Sequence, residues 1–374
     1  MKTRHLMMMM AAALVAGCSE NEVTMTTPES DQVIGFKVYT GVQNRGTVTT
    51  TDEIQKLSRG FGVCAYRTTA DYAASVDPKD LYMDNTQVTY DGTSTSWTYS
   101  PLRYWPTNAT DKISFFAYAP YNAEGIELTP ATTTADPLLK FTLQDRQIDM
   151  VDLVSDAQKN QTSTTAAASS GKITFSLKHR LSRVGMQAKI DKDLTGNGLT
   201  KVFITGIKFT QAASTLYKTA NLNLSDGTWD TASGTAISSP YELKSTKTDG
   251  GILNNYVAAN FAGYTTKSID ISNFTAFTSL FPEEQYLFFI PAGATGTSNA
   301  GDVKIEISYD IVTKASYGAT TAVVSKNTKT IDLAANSFTL GTAYLYKFTV
   351  GLTGIEFSAS VDAWGGDTEV TPDI

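Results

Sequence analysis

The chain has 374 residues, so about two domains of roughly 150 residues each are expected. With 41% hydrophobic and 18% charged residues it can bury a sizeable core, which excludes a globally disordered polymer. A formal net charge of −7, with no basic cluster to offset it, argues against a nucleic-acid or anionic-membrane surface.

The chain opens with a leader. Lys2, Arg4 and His5 form a basic start, Leu6 to Val15 is a short apolar run, and Val15-Ala16-Gly17-Cys18 follows. This is the layout of a signal peptide over residues 1–17, too short to span a bilayer. Small residues ahead of Cys18 resemble the lipobox of bacterial lipoproteins. That resemblance implies cleavage before Cys18, acylation of its thiol and new amino group, and an outer-membrane lipid anchor for the precursor. Residues 18–31 carry Glu20, Glu22, Glu29 and Asp31 and read as a flexible tether. An acidic stretch just after the lipidated cysteine resembles the surface-export signal of Bacteroidia lipoproteins. With Cys18 given to lipid, Cys64 stands alone and no intramolecular disulfide can form. In the apolar run from Phe61 to Tyr66, Cys64 reads as a buried small hydrophobe.

The next segment, Val33 to Gly46, carries the strongest local pattern. Ile34, Phe36 and Val38 fall on one face of an extended strand, and Gly35, Lys37 and Tyr39 on the other. The polar segment behind this strand holds Arg45-Gly46, where a trypsin-like protease can cut. A strand released there would leave its domain with an open groove. Arg59-Gly60 is the rival site, but it abuts the strand at Phe61.

From there the chain reads as strands and turns. Phe61 to Tyr66 is a short strand. Gln87 to Tyr90, the turn Asp91-Gly92 and Trp97 to Tyr99 form a hairpin. Lys112 to Tyr118 is apolar on both faces and therefore central. Asp156 to Gly171 reads as an exposed low-complexity loop. Ile173, Phe175 and Leu177 alternate with polar residues, as do Val184, Met186, Ala188 and Ile190. The domain junction is placed near residue 185, giving units 32–185 and 186–374. Further strands are read at 202–209, 220–224, 286–290, 303–309, 329–333 and 344–350. The last runs from Ile355 to Val361, where Ile355, Phe357, Ala359 and Val361 share one face. Short strands at this spacing predict an all-β chain of two β-sandwiches. Only Thr51 to Arg59 has room for a single helical turn.

Catalytic signatures are scarce. Behind the leader His179 is the one histidine, so His/Cys zinc sites are excluded by count. Lying in Leu177-Lys178-His179-Arg180-Leu181 between two strands, it reads as structural. No GxxxxGK[ST] loop occurs and no GxGxxG follows a strand. Carboxylates are numerous, but nothing marks a pair for glycoside hydrolysis. No cofactor is expected, and the chain reads as non-enzymatic.

The order of several motifs carries a resemblance. Trp97-Thr98-Tyr99-Ser100-Pro101-Leu102-Arg103-Tyr104-Trp105-Pro106 is followed by Phe115-Phe116-Ala117-Tyr118-Ala119-Pro120. Phe175 to Val184 reads FxxxHxLSxV, and the chain closes with Tyr344 to Val350 and Ile355 to Trp364. Together these resemble the fimbrillin family of Bacteroidia, the lipoprotein-derived pilins and their relatives. The resemblance implies tandem transthyretin-like β-sandwich domains, surface export, cleavage after Arg45 and donor-strand assembly into a fimbria. In that scheme Ile34, Phe36 and Val38 are displaced, and Ile355, Phe357, Ala359 and Val361 are donated. The implied partners are other fimbrial subunits, of the same or a related kind, and a host or glycan ligand. The alternative is a non-polymerising surface lipoprotein: a tip adhesin, an anchor, or a glycan or host-ligand binder. Pro101 and Pro106 cannot donate to a ladder, so the aromatic motif belongs at a strand edge or turn.

Overall fold

The structure is a computed structural model that describes residues 32–40, 51–77, 79–145, 147–167, 170–193, 198–212, 215–238, 240–243, 257–258, 260–281, 286–291, 299–335, 337–351, 354–363 and 366–370. The leader, the tether, Arg45, Gly46 and Trp364 lie outside the described residues. The protein is all-β, as the alternating pattern predicts. Its described α-helices are short, α1 (Thr51–Lys56) and α2 (Ser163–Ala167).

The first nine strands are β1 (Gly35–Thr40), β2 (Phe61–Thr68), β3 (Asp80–Asp91), β4 (Ser96–Thr98), β5 (Lys112–Ala119), β6 (Ile126–Thr129), β7 (Leu138–Thr142), β8 (Val154–Gln161) and β9 (Lys172–His179). Seven of them form one sheet in the order β1-β9-β8-β5-β2-β3-β4. Strand β5 is central because both of its faces are apolar: Phe115 enters one core and Phe116 the other. The two ends of this sheet meet. Val33 bridges Tyr104, just past β4, and Ile34 N–H donates to Arg103 O at 2.9 Å. The curl encloses a core of Phe36, Phe61, Phe115, Trp105 and Phe175, with Ile54 of α1 and Ala166 of α2 against it.

Strand β8 departs from the sequence reading, which placed an exposed loop at 156–171. It lies between β5 and β9, and Phe116↔Ala157 and Tyr118↔Ser155 are in register. Only Val154 and Ser155 are fully buried. The remaining polar side chains are half-buried, so the backbone ladder, not an apolar face, holds the strand.

The second half supplies β10 (Ser182–Ile190), β11 (Thr200–Gln211), β12 (Tyr217–Asn223), β13 (Trp229–Ala236), β14 (Tyr241–Leu243), β15 (Val257–Ala258), β16 (Lys267–Asp270), β17 (Thr278–Ser279), β18 (Leu287–Phe289), β19 (Val303–Lys314), β20 (Ala322–Asp332), β21 (Thr342–Val350), β22 (Ile355–Ala363) and β23 (Gly366–Val370). One sheet runs β17-β10-β21-β22-β23, with β18 also on β10. Another runs β15-β16-β11-β19-β20, with β14 also on β11. Val184, Met186, Tyr346 and Phe348 of the first meet Ile204, Ile207, Ile305 and Ile307 of the second in one apolar cluster.

The hairpin β12–β13 pairs back onto β7, with Ala220↔Phe141 and Leu222↔Leu139 in register. This completes a four-stranded sheet, β13-β12-β7-β6. Its Phe141, Leu222 and Trp229 belong to the same cluster as Cys64, Tyr66 and Tyr118 on the outer face of the curled sheet. Cys64 is fully buried there, and burial pushes its thiol up to about 12. That agrees with its reading as a small hydrophobe.

Candidate functional site

Ile34, Phe36, Val38 and the aromatic motif meet in one place. Strand β1 runs parallel to β9 with Gly35↔Lys172, Phe36↔Ile173, Val38↔Phe175 and Thr40↔Leu177 in register. Among the described residues its other side has no ladder beyond the bridge at Val33. The alternation read from sequence holds: Ile34, Phe36 and Val38 are 0%, 3% and 8% exposed, whereas Tyr39 is 50% exposed. Burying three such side chains is worth about 5–9 kcal/mol, at about 1.5–3 kcal/mol each.

Phe36 sits in a pocket of rings. Its centroid lies 5.3 Å from Tyr99, 5.8 Å from Phe175, 6.0 Å from Phe115 and 6.1 Å from Phe61. Offset and edge-to-face arrangements of this kind add to the area term. The Trp/Tyr/Pro motif also clasps the start of the strand. Tyr99 Oη donates to Ile34 O at 2.7 Å, and Trp105 N–H donates to Gln32 O at 3.1 Å. Trp105 Nε1 donates to Gly171 O at 3.2 Å, and Gly35 N–H donates to the same oxygen at 3.3 Å. Gly171 has φ +77°, a conformation glycine adopts without strain. The motif read as a fold signature is thus the clamp of the first strand. Trp105→Ala should lower the stability of the protein by about 3–5 kcal/mol, the usual cost of emptying a buried Trp site. Urea denaturation followed by tyrosine fluorescence or circular dichroism checks this value.

The C-terminal strand is placed differently. Strand β22 lies between β21 and β23, antiparallel to both, with Phe348↔Phe357 and Val350↔Ile355 in register. Ile355 is buried, while Phe357 and Ala359 are half-buried against the large cluster. Phe357 lies 5.5 Å from both Tyr346 and Phe348. The side chain of Val361 lies outside the described residues, although its backbone pairs with Tyr344. The structure therefore does not bring the two strands together; each is seated on its own sheet.

His179 ends β9 and is 8% exposed, with Nδ1 2.9 Å from Oδ2 of the equally buried Asp152. Arg180 Nε and Nη2 donate to Ser155 Oγ and O, and Trp229 Nε1 donates to Arg180 O. Burial holds the Arg180 guanidinium below its ordinary pKa range. The His-Arg pair pins the β9–β10 corner to the 152–155 segment and to β13. Among the described residues, no three His, Cys, Asp or Glu side chains form a group that could hold a metal ion.

An all-β chain with these layers, closed by its own first strand, shares its fold with a solved fimbrial protein. It matches the crystal structure of a fimbrial protein from Bacteroides vulgatus ATCC 8482 with a TM-score of 0.73 and 30% sequence identity. The match covers 89% of this chain and 99% of that one. The family model for fimbrillin-like proteins matches residues 47–364, and the chain belongs to the fimbrillin-like family. It is also 34% identical over 385 residues to the fimbrium subunit Fim1C of Phocaeicola vulgatus, covering 99% of this chain and 98% of that protein.

Proposed function

We propose that this chain is a structural, non-enzymatic subunit of a cell-surface fimbria that supports adhesion. It is exported as a lipoprotein on Cys18, cut after Arg45 and assembled by donor-strand exchange with further subunits. Two sandwich units meeting near residue 185 would form its body. The observation that carries this reading is the first strand: three buried side chains on a strand that, among the described residues, is laddered to a single neighbour. In the precursor the chain tethers β1 to its groove, so local concentration keeps it bound. A cut at Arg45 removes the tether, and the vacated groove offers unpaired backbone groups and apolar pockets to a new strand.

The local structure also favours Arg45 over Arg59. Gly60 N–H donates to Leu57 O, Gly60 O accepts from Tyr121 N–H, and Arg59 Nη1 donates to Asn122 O. A protease must draw its substrate into an extended form, and these bonds oppose that at Arg59-Gly60. Mass spectrometry of the mature N-terminus tests the proposal. Gly46 is expected in assembled protein, and acylated Cys18 in the precursor. A mature chain that starts only at acyl-Cys18 would make it an anchor or a non-polymerising surface lipoprotein instead.

Lipidation has its own test. Cys18→Ala should abolish incorporation of a labelled fatty acid and block membrane processing. Label retained in the Cys18→Ala protein would reject the lipid anchor.

A further inference from the structure

The two strands of the exchange share a sequence pattern. Strand β1 enters with Ile34-Gly35-Phe36-Lys37-Val38, and β22 begins Ile355-Glu356-Phe357-Ser358-Ala359. Both read Ile-x-Phe-x-aliphatic. They differ at the second position, glycine in one and glutamate in the other. Gly35 stands opposite Lys172 of β9. A Cβ built on Gly35 would lie 2.9 Å from Lys172 Cγ, so the lysine stem fills the room that glycine leaves. Lys172 is exposed, and among the described residues no carboxylate pairs with it. Glu356 is likewise exposed, opposite Thr349 in its own sheet.

Resting on the strand-exchange reading above, we propose that β22 of a second copy takes the register of β1 residue for residue. Ile355 replaces Ile34, Phe357 replaces Phe36, and Glu356 gains an ion pair with Lys172 that β1 never makes. The pockets select this register. An odd shift would turn Ile355 and Phe357 out to solvent. A shift of two residues would put Ala359 or Ile355 into the four-ring pocket of Phe36, and would set Phe357 in the site of Ile34 or Val38. Only the matched register puts a ring among rings. The strand also runs parallel to β9, so Ile355 N–H inherits the acceptor Arg103 O and Ile355 O inherits the donor Tyr99 Oη. Lys172 is a flexible neighbour that can swing off the strand face, which lets a side chain enter at the second position. Opposite charges at neighbouring positions on one sheet face favour pairing, and like charges oppose it. The glutamate thus gives the incoming strand an advantage over the strand it displaces.

The test is a charge swap in the full chain, cut with trypsin and followed by size-exclusion chromatography. Glu356→Lys alone and Lys172→Glu alone should each slow polymer growth roughly threefold to tenfold. The double variant should return close to the unsubstituted rate. Both residues are exposed, so the variants are expected to fold, and circular dichroism checks this. A double variant no faster than the singles would overturn the register. A second measurement is covalent: in this register Ser358 of one copy lies beside Thr174 of the next. Thr174→Cys with Ser358→Cys should give a reducible ladder after cutting. A ladder linked instead through Ser360→Cys would overturn the register but leave strand exchange standing. If the unsubstituted chain forms no polymer after cutting, both readings fall.

Discussion

Phe357→Asp should leave the protein folded and stop it from polymerising. In the structure Phe357 is only half-buried, against Tyr346 and Phe348. Replacing it removes apolar burial of about 1.5–3 kcal/mol at most, a loss that a domain stable by about 5–15 kcal/mol survives. In the assembled state the same residue would have to enter the pocket of Phe36 among Phe61, Tyr99, Phe115 and Phe175. A carboxylate there finds rings and no partner, at a cost on the order of 5 kcal/mol or more. Every 1.4 kcal/mol is tenfold in affinity, so subunit joining weakens by about three orders of magnitude or more. Chromatography of the cut variant, with circular dichroism to check the fold, gives the answer. Polymers of normal length would show that Phe357 does not enter the groove.

A chain that ends at Leu352 has the second large effect. It lacks β22 and β23 but keeps β21 paired in parallel with β10 over eight residue pairs, Arg183↔Ala343 to Ile190↔Val350. Once cut at Arg45 it can accept a strand and has none to give. It should therefore remain monomeric by itself. Mixed in small amounts with the full chain, it should occupy growing ends and shorten the polymers. Electron microscopy of the mixture measures the length distribution. Unchanged lengths would mean that the C-terminal strand is not the donor.

The strands that decide this account were readable from sequence because each has one buried face. Ile34 with Phe36 and Val38 of β1, Ile173, Phe175 and Leu177 of β9, and Ile355 with the half-buried Phe357 of β22 carry the period-2 signal. Strand β8 was missed because the burial that generates this signal is nearly absent from it. Its place between β5 and β9 is fixed by backbone groups that every residue type shares. The pairing of β12 with β7 was invisible for the same reason. Leu222↔Leu139 and Asn221↔Lys140 are separated by some eighty residues, and nothing in either segment names the other. The aromatic motif stood out in the sequence, but its partners did not. That Tyr99 holds Ile34 O and Trp105 holds Gly171 O depends on the curl that brings β4 and β1 together. The match between Ile34-Gly35-Phe36 and Ile355-Glu356-Phe357 was present in the letters. Its proposed role depends on Lys172, which stands opposite Gly35 in the fold.

The most direct test of strand release is the size of the purified full chain before and after mild trypsin, measured by size-exclusion chromatography with light scattering and N-terminal sequencing of each peak. The account predicts a monomer before cutting and, after it, a high-mass series whose subunits begin at Gly46 and lack β1. Uncut protein that polymerises equally well, or subunits that stay monomeric after β1 has left, would contradict it.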